Sequence, residues 1–234
     1  MTASALLLVP GLNCTAALWR SQIAPLSALC PVGVADHRGV DTMGGIAAAI
    51  LAVAPPRFAL AGLSMGGYVA LEIWRTAPER VERLALLDTQ ARPDGPDAAE
   101  NRRRQIAIAE SGGFARIADL QLPKLLAPAH QGDPDLVAVV RAMAADTGAE
   151  AFVRQQRAIL GRIDSRPTLA TITCPTTVVV GAEDALTPPD LAREMVAAIP
   201  GASLEIIDGA GHLSPLEAPD AVTAVLRAWL AASE

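Results

Sequence analysis

Short, almost continuous apolar runs recur along the chain, and each ends in glycine, proline or polar residues. Because apolar and polar positions do not alternate within them, the runs predict parallel strands that are buried on both faces rather than an exposed hairpin. The six runs are residues 5–9, 31–35, 58–63, 84–87, 176–180 and 204–207.

Helix-length segments separate most of these runs: residues 16–29, 44–53, 65–77, 189–199 and 218–231. Strand followed by helix, repeated, predicts a parallel sheet with helices on both sides. The alternation fails between residues 89 and 166, where helical patterns are broken by glycine and proline and no strand is evident. We therefore predict an α/β core at 1–88 and 167–234, interrupted by a helical cap at 89–166.

Composition narrows the class of protein. The chain has 234 residues, 51% of them hydrophobic, and a formal net charge of −6, which indicates a folded domain and argues against nucleic-acid binding. No apolar stretch approaches the ~20 residues needed to span a bilayer, so we expect no membrane partner. The three cysteines are widely spaced and form no metal-binding pattern, which predicts free thiols, no metal and a cytoplasmic protein.

A glycine-rich turn follows the third apolar run. Residues 62–67 read Gly-Leu-Ser-Met-Gly-Gly, directly after a predicted strand and directly before a predicted helix. A serine on such a turn has a strained backbone that exposes its hydroxyl, and bulky side chains at Gly62 or Gly66 would collide with neighbouring backbone. Ser64 is therefore the candidate nucleophile. The alternative is an ordinary exposed serine in a glycine-rich turn.

Two carboxylates compete to be the acid partner of a catalytic histidine. Asp184 follows the fifth apolar run in Gly-Ala-Glu-Asp, and Asp88 follows the fourth. Either could orient an imidazole and stabilise the imidazolium that forms in catalysis. Asp184 is favoured because it stands further along its loop, clear of the strand. Asp88 is kept as the alternative acid, with a helix cap or turn former as its structural role.

His212 is the candidate general base, because an imidazole can take up a proton near neutral pH. It lies in Gly-Ala-Gly-His after the last apolar run and completes the chain order Ser, Asp, His at three strand ends. The other two histidines, His37 and His130, are interpreted as loop residues.

An acyl-transfer site also needs donors for the oxyanion of its tetrahedral intermediate. One candidate is the N–H of Met65, directly after the serine, and the other is the N–H of Leu12 in the loop after the first strand. The alternative for that loop is a simple Pro-Gly turn. Residues expected to line the substrate pocket are Asn13, Met43, Leu186 and Leu213.

Taken together, these motifs resemble the α/β-hydrolase superfamily over essentially the whole chain. The matching stretches are residues 8–11, 36–39, 62–67, 181–184 and 211–212. They look most like the small carboxylesterase and enol-lactonase branch, which carries a helical cap. The resemblance implies an α/β fold with a six-stranded, mostly parallel sheet in the order 2-1-3-4-5-6. Residues 10–11 are Pro-Gly where the family commonly has His-Gly, so that histidine side chain is lost here.

A serine at position 64 also implies acyl chemistry, since relatives that hydrolyse epoxides or haloalkanes use an aspartate there. The expected function is a cofactor-free serine hydrolase of a small ester, lactone or thioester, acting through an acyl-enzyme. A lyase or acyltransferase with the same triad, or a low-turnover ligand-binding receptor, stays open. Arginines between residues 102 and 157 could recognise an anionic substrate. Nearby acidic residues nearly balance them, which favours a solvated helix face.

Overall fold

The computed structural model describes residues 4–232 and contains one six-stranded parallel sheet in the order β2-β1-β3-β4-β5-β6. Every predicted apolar run overlaps a strand, and the predicted fold class and strand order are confirmed. The strands are β1 (Leu6–Val9), β2 (Val32–Val34), β3 (Phe58–Leu63), β4 (Val81–Leu87), β5 (Thr176–Gly181) and β6 (Ser203–Ile207).

Helices occupy the segments between the strands. They are α1 (Ile23–Ser27), α2 (Met43–Val53), α3 (Met65–Thr76), α4 (Pro96–Ile108), α5 (Ile117–Leu125), α6 (Pro134–Leu160), α7 (Arg166–Leu169), α8 (Pro189–Ala198), α9 (Ser214–Glu217) and α10 (Pro219–Ala231). The predicted single helix over residues 16–29 is wrong: a 3-10 turn, Ala16–Trp19, precedes the short α1. Pro25 explains the break, because proline has no N–H and its ring clashes with the carbonyl four residues earlier.

The central strands of the sheet are buried on both faces, whereas the edge strands β2 and β6 are partly exposed. All six residues of β3 and of β5 are buried, as expected for central parallel strands. One apolar cluster joins the sheet to α2, α3 and α8, and a second joins the opposite face to α1 and α10. A layer of helices therefore packs on each face of the sheet and holds the strands in place. The candidate site lies at the carboxyl-terminal edge of the strands.

Helices α4, α5 and α6 lie between β4 and β5, and within residues 89–166 the structure has no strand. We call residues 89–166 the helical insertion. Helix α6 is broken at Gly148, whose φ of 75° and ψ of 160° are not helical. That the insertion forms a separate cap domain stays a prediction.

Strands β1 and β3 lie side by side, with β2 on the outer side of β1 and the later strands beyond β3. The direction in which successive strands are added to the sheet therefore changes between β1 and β3. Open α/β sheets bind ligands at such a switch point, beyond the carboxyl ends of the strands. The loop after β1 and the turn after β3 therefore meet there. Within residues 4–232 no helix is both long and apolar enough to cross a membrane.

Candidate active site

Ser64 occupies the turn between β3 and α3 with a strained backbone, φ 54° and ψ −114°. The close approach of neighbouring chain explains the flanking glycines, as predicted. A Cβ on Gly62 would overlap the Gly66 carbonyl, and one on Gly66 would overlap the Val9 carbonyl. The Ser64 N–H donates to the Leu87 carbonyl at 2.9 Å, which ties the turn to β4. The hydroxyl is thereby presented at the sheet edge.

His212 reaches this hydroxyl from the loop after β6. Its Nε2 lies 2.8 Å from Ser64 Oγ, although the two residues are 148 positions apart. The loop is close-packed, because a Cβ on Gly181 would overlap the Gly211 carbonyl. The imidazole is 3% exposed, so its orientation is set by its protein partners.

Asp184 holds the other ring nitrogen. The Nδ1 of His212 donates to Asp184 Oδ2 at 2.8 Å. The Thr187 hydroxyl donates to the same oxygen at 2.7 Å, while the N–H groups of Leu186 and Thr187 donate to Oδ1 at 2.8 and 2.9 Å. Burial alone would raise the pKa of Asp184. The charge of His212 and these hydrogen bonds outweigh it and lower that pKa to about 2.

The pairing with Asp184 also changes the pKa of His212. Burial opposes a charged imidazole, but the charge of Asp184 and its hydrogen bond to Nδ1 raise the pKa of His212 above its usual 6.5. The arrangement fixes a tautomer with the proton on Nδ1. Nε2 is then the acceptor that faces the Ser64 hydroxyl, so this geometry can take a proton from serine.

Asp88, the alternative acid, is oriented elsewhere. Its Oδ1 accepts the Gly181 N–H at 2.8 Å, and its Oδ2 accepts the Ser214 hydroxyl. It is fully buried, and burial together with the nearby charge of Asp184 raises its pKa well above the usual 3.8. Asp88 thus ties β4, β5 and α9 together, and Asp184 is the carboxylate that holds the His212 ring.

The predicted oxyanion donors belong to Met65, directly after Ser64, and to Leu12, directly after Gly11. A Cβ on Gly11 would lie 3.4 Å from Ser64 Cβ, so the loop after β1 packs directly on the serine. Within residues 4–232 neither the Leu12 N–H nor the Met65 N–H has a protein acceptor. The Met65 N–H, at the start of α3, and the Leu12 N–H are therefore the candidate donors to a developing negative charge.

The four predicted pocket residues differ in placement. Leu186 lies two residues after Asp184 and is 41% exposed, and Leu213 directly follows His212 and is buried. Asn13 adjoins Leu12 and has a left-handed backbone, φ 59°. Met43 begins α2 and packs into the core cluster shared with α3, which makes it a core residue.

An apolar wall from the helical insertion covers Leu12. Its members are Ile106, Ile108, Ala109, Phe114, Ile117, Phe152 and Val153. Several arginines of the insertion are paired instead with acids: Arg102 with Asp94, Arg104 with Glu100, and Arg157 with Glu110. The side next to Leu12 is therefore apolar. The exposed pairs of Arg104 and Arg157 agree with the solvated-face interpretation, whereas Arg102 is mostly buried against Asp94.

Sequence reasoning missed the buried carboxylate of Glu217. It accepts the N–H groups of Gly211, Leu213 and Ala127 at 3.0, 3.2 and 2.7 Å, and His130 Nδ1 at 3.0 Å. It therefore joins the loop that carries His212 to the helical insertion. Its position five residues after His212, at the end of a short helix, was the only sequence signal.

His37 lies in a loop, as predicted, but its buried contacts were missed. It is buried beneath the loop after β1, with Nε2 2.9 Å from the Pro10 carbonyl. Its place at the end of β2, on the same sheet edge as Ser64, was a usable signal. Across residues 4–232 no group of three or more His, Cys, Asp or Glu could hold a metal ion.

A parallel sheet in this order, with a serine on a strained strand-to-helix turn, defines an α/β-hydrolase fold. A model of the Alpha/beta hydrolase family matches residues 6–225, and the chain belongs to this family. The resemblance inferred from its motifs is thereby confirmed.

The chain is similar to several solved structures and to several curated proteins. A thermophilic esterase from Thermogutta terrifontis is 33% identical with a TM-score of 0.88, over 98% of this chain and 90% of that one. The enol-lactonase from Burkholderia xenovorans LB400 is 27% identical with a TM-score of 0.90, over 99% and 93%. A protein of Azorhizobium caulinodans named "Putative carbamate hydrolase RutD" is 27% identical, over 94% and 89%. The relatives are named as hydrolases, and the chain is a hydrolase of this family.

Proposed function

We propose that the protein is a serine hydrolase that cleaves a small ester or lactone through an acyl-enzyme on Ser64. One observation carries the proposal: the unbroken line of hydrogen bonds from Ser64 Oγ through His212 to Asp184, with both heavy-atom distances at 2.8 Å. Nucleophile, base and orienting acid stand in the relation that acyl transfer requires.

In the first half-reaction, His212 Nε2 takes the Ser64 proton as Oγ attacks the substrate carbonyl. The oxyanion is held by the N–H groups of Leu12 and Met65, and Asp184 stabilises the imidazolium. Protonated His212 then gives its proton to the leaving alkoxide, and the carbonyl–oxygen bond breaks. Water attacks the acyl-enzyme with His212 again as base, which releases the acid and restores the Ser64 hydroxyl.

The apolar wall above Leu12 supports a substrate with an apolar group next to its carbonyl. The names of the relatives suggest esters, lactones and carbamates as the first substrates to assay. Carboxylic esters and lactones are placed first because the T. terrifontis and B. xenovorans proteins are named as an esterase and an enol-lactonase. A lyase or an acyltransferase would use the same attack with a different second step.

A fluorophosphonate probe is expected to modify the protein once, on the peptide that contains Ser64. The strained turn exposes this hydroxyl, and His212 activates it. Peptide mass spectrometry locates the adduct. Turnover of short p-nitrophenyl esters, lactones, thioesters and carbamates in H₂¹⁸O should place one ¹⁸O in the released acid. Labelling elsewhere, or turnover without ¹⁸O uptake, would contradict the proposed hydrolysis.

Activity is expected to rise with pH as His212 loses its proton. Because Asp184 raises the pKa of His212 above 6.5, the imidazole of the free protein is charged and inactive at pH 5. The value of kcat/KM should climb about tenfold per pH unit below the inflection and level off above it. The inflection should lie above pH 6.5. A flat profile between pH 5 and 8 would exclude His212 as the base.

A further inference from the structure

A completely buried glutamine of the helical insertion touches the loop that carries the predicted oxyanion donor. Gln155 lies in α6 after the break at Gly148 and has no exposed surface. Its Oε1 accepts the Asn13 N–H at 3.0 Å, and its Nε2 lies 3.3 Å from His37 Nδ1. His37 Nε2 in turn lies 2.9 Å from the Pro10 carbonyl and 3.1 Å from the Gly11 carbonyl.

The donor and the acceptor in each of these hydrogen bonds can be assigned. An amide nitrogen only donates, so His37 Nδ1 must accept from Gln155 and the ring proton is on Nε2. Nε2 then donates to the carbonyls of Pro10 and Gly11. Burial lowers the pKa of His37 more than the two carbonyl contacts raise it, which keeps the ring neutral and this tautomer in place.

The geometry of the peptide group links these bonds to the oxyanion donor. In a trans peptide the C=O and the following N–H point in opposite directions. The Gly11 carbonyl faces His37, so the Leu12 N–H of the same peptide faces away from His37. Gly11 packs on Ser64 Cβ, and the next N–H, that of Asn13, is fixed by Gln155. The bonds thus hold the peptides on both sides of Leu12.

We infer that Gln155, acting with His37, is a positioning residue that aims the Leu12 N–H at the oxyanion, so that the helical insertion helps to assemble the oxyanion hole. The inference rests on the proposed serine hydrolase mechanism. It assigns to the insertion a part in the chemical step, beyond covering the substrate.

The test compares Gln155→Met with Gln156→Met. Gln156 is the adjacent residue and is equally buried, but its amide bonds Arg102 and Gln105 inside the insertion. Loss of one oxyanion donor costs about 10²- to 10³-fold in kcat, and a misaimed donor should cost about 10- to 100-fold. We expect Gln155→Met to lower kcat by that factor with KM changed less than about threefold. Gln156→Met should keep kcat within about threefold.

A transition-state analogue separates positioning from a general structural effect. A trifluoromethyl ketone forms a tetrahedral adduct with serine, and its oxygen occupies the oxyanion position. Its affinity should fall in Gln155→Met by the same factor as kcat/KM and stay near wild type in Gln156→Met. Adding His37→Leu to Gln155→Met should cost less than the product of the two single effects, because both act on one loop.

Equal kcat and inhibitor affinity in the two methionine variants would overturn the inference, even with Ser64→Ala inactive. Full activity of Ser64→Ala would instead remove the proposed function itself. If Gln155→Met does not fold, His37→Leu is compared with His37→Gln, which keeps an amide donor for the Pro10 carbonyl. A larger loss of kcat in His37→Leu supports the inference, and equal losses contradict it.

Discussion

Replacing Ser64 with alanine is expected to lower kcat on a p-nitrophenyl ester by about 10⁴- to 10⁶-fold while the fold is retained. The hydroxyl is the proposed attacking group, and it lies 2.8 Å from His212 Nε2. The proposed oxyanion donors, the N–H groups of Leu12 and Met65, belong to the backbone and survive the change, so some rate above that of water should remain. Serine and alanine both carry a Cβ, so the substitution adds no new backbone strain at φ 54°.

Ser214→Ala is the matched control. Ser214 is also a buried serine, two residues after His212, but its hydroxyl donates to Asp88. Its loss should lower the thermal unfolding midpoint and keep kcat within about tenfold. Steady-state assays and thermal unfolding on both variants make the comparison. A Ser64→Ala variant with more than about a hundredth of the wild-type kcat would rule out an acyl-enzyme on Ser64.

The sheet and the meeting of Ser64, Asp184 and His212 could be predicted because each depends on local chain features. Strands buried on both faces leave continuous apolar runs, and parallel strands bring their carboxyl ends to one edge. The glycines at 62 and 66 mark the close backbone approach. Because each of the three polar motifs follows one of these parallel strands, all three were expected at the same edge of the sheet.

The supporting contacts could not be predicted, because they depend on how the helical insertion sits on the core. Gln155 bonds Asn13 across 142 positions, and Glu217 bonds Ala127 across 90. A glutamine within a helix produces no periodic signal of such a partner. Met43 is a predicted pocket residue, and the structure places it in the first turn of α2, directly after the cap Thr42, within the core cluster that α2 shares with α3.

Replacing Asp184 with asparagine is expected to lower kcat by about 10⁴-fold, through the tautomer of His212. Oδ1 of Asp184 accepts two backbone N–H groups, from Leu186 and Thr187. The new amide must keep its oxygen there, so its nitrogen takes the Oδ2 position, 2.8 Å from His212 Nδ1. An amide nitrogen donates, which forces Nδ1 to become an acceptor and moves the ring proton to Nε2. His212 then cannot accept the Ser64 proton.

Asp88→Asn makes the same chemical change at the competing carboxylate and is expected to keep kcat within about threefold. Its oxygen can still accept the Gly181 N–H, and the Ser214 hydroxyl can turn from donor to acceptor toward the new nitrogen. Because both variants are isosteric and both sites are buried, a difference of several powers of ten between them reports on the interaction of Asp184 with His212, which includes both the tautomer and the stabilisation of the imidazolium. ¹⁵N NMR of the imidazole measures that tautomer directly: the proton should move from Nδ1 to Nε2 only in Asp184→Asn. Comparable losses of kcat in the two variants, or a larger loss in Asp88→Asn, would transfer the role of acid to Asp88.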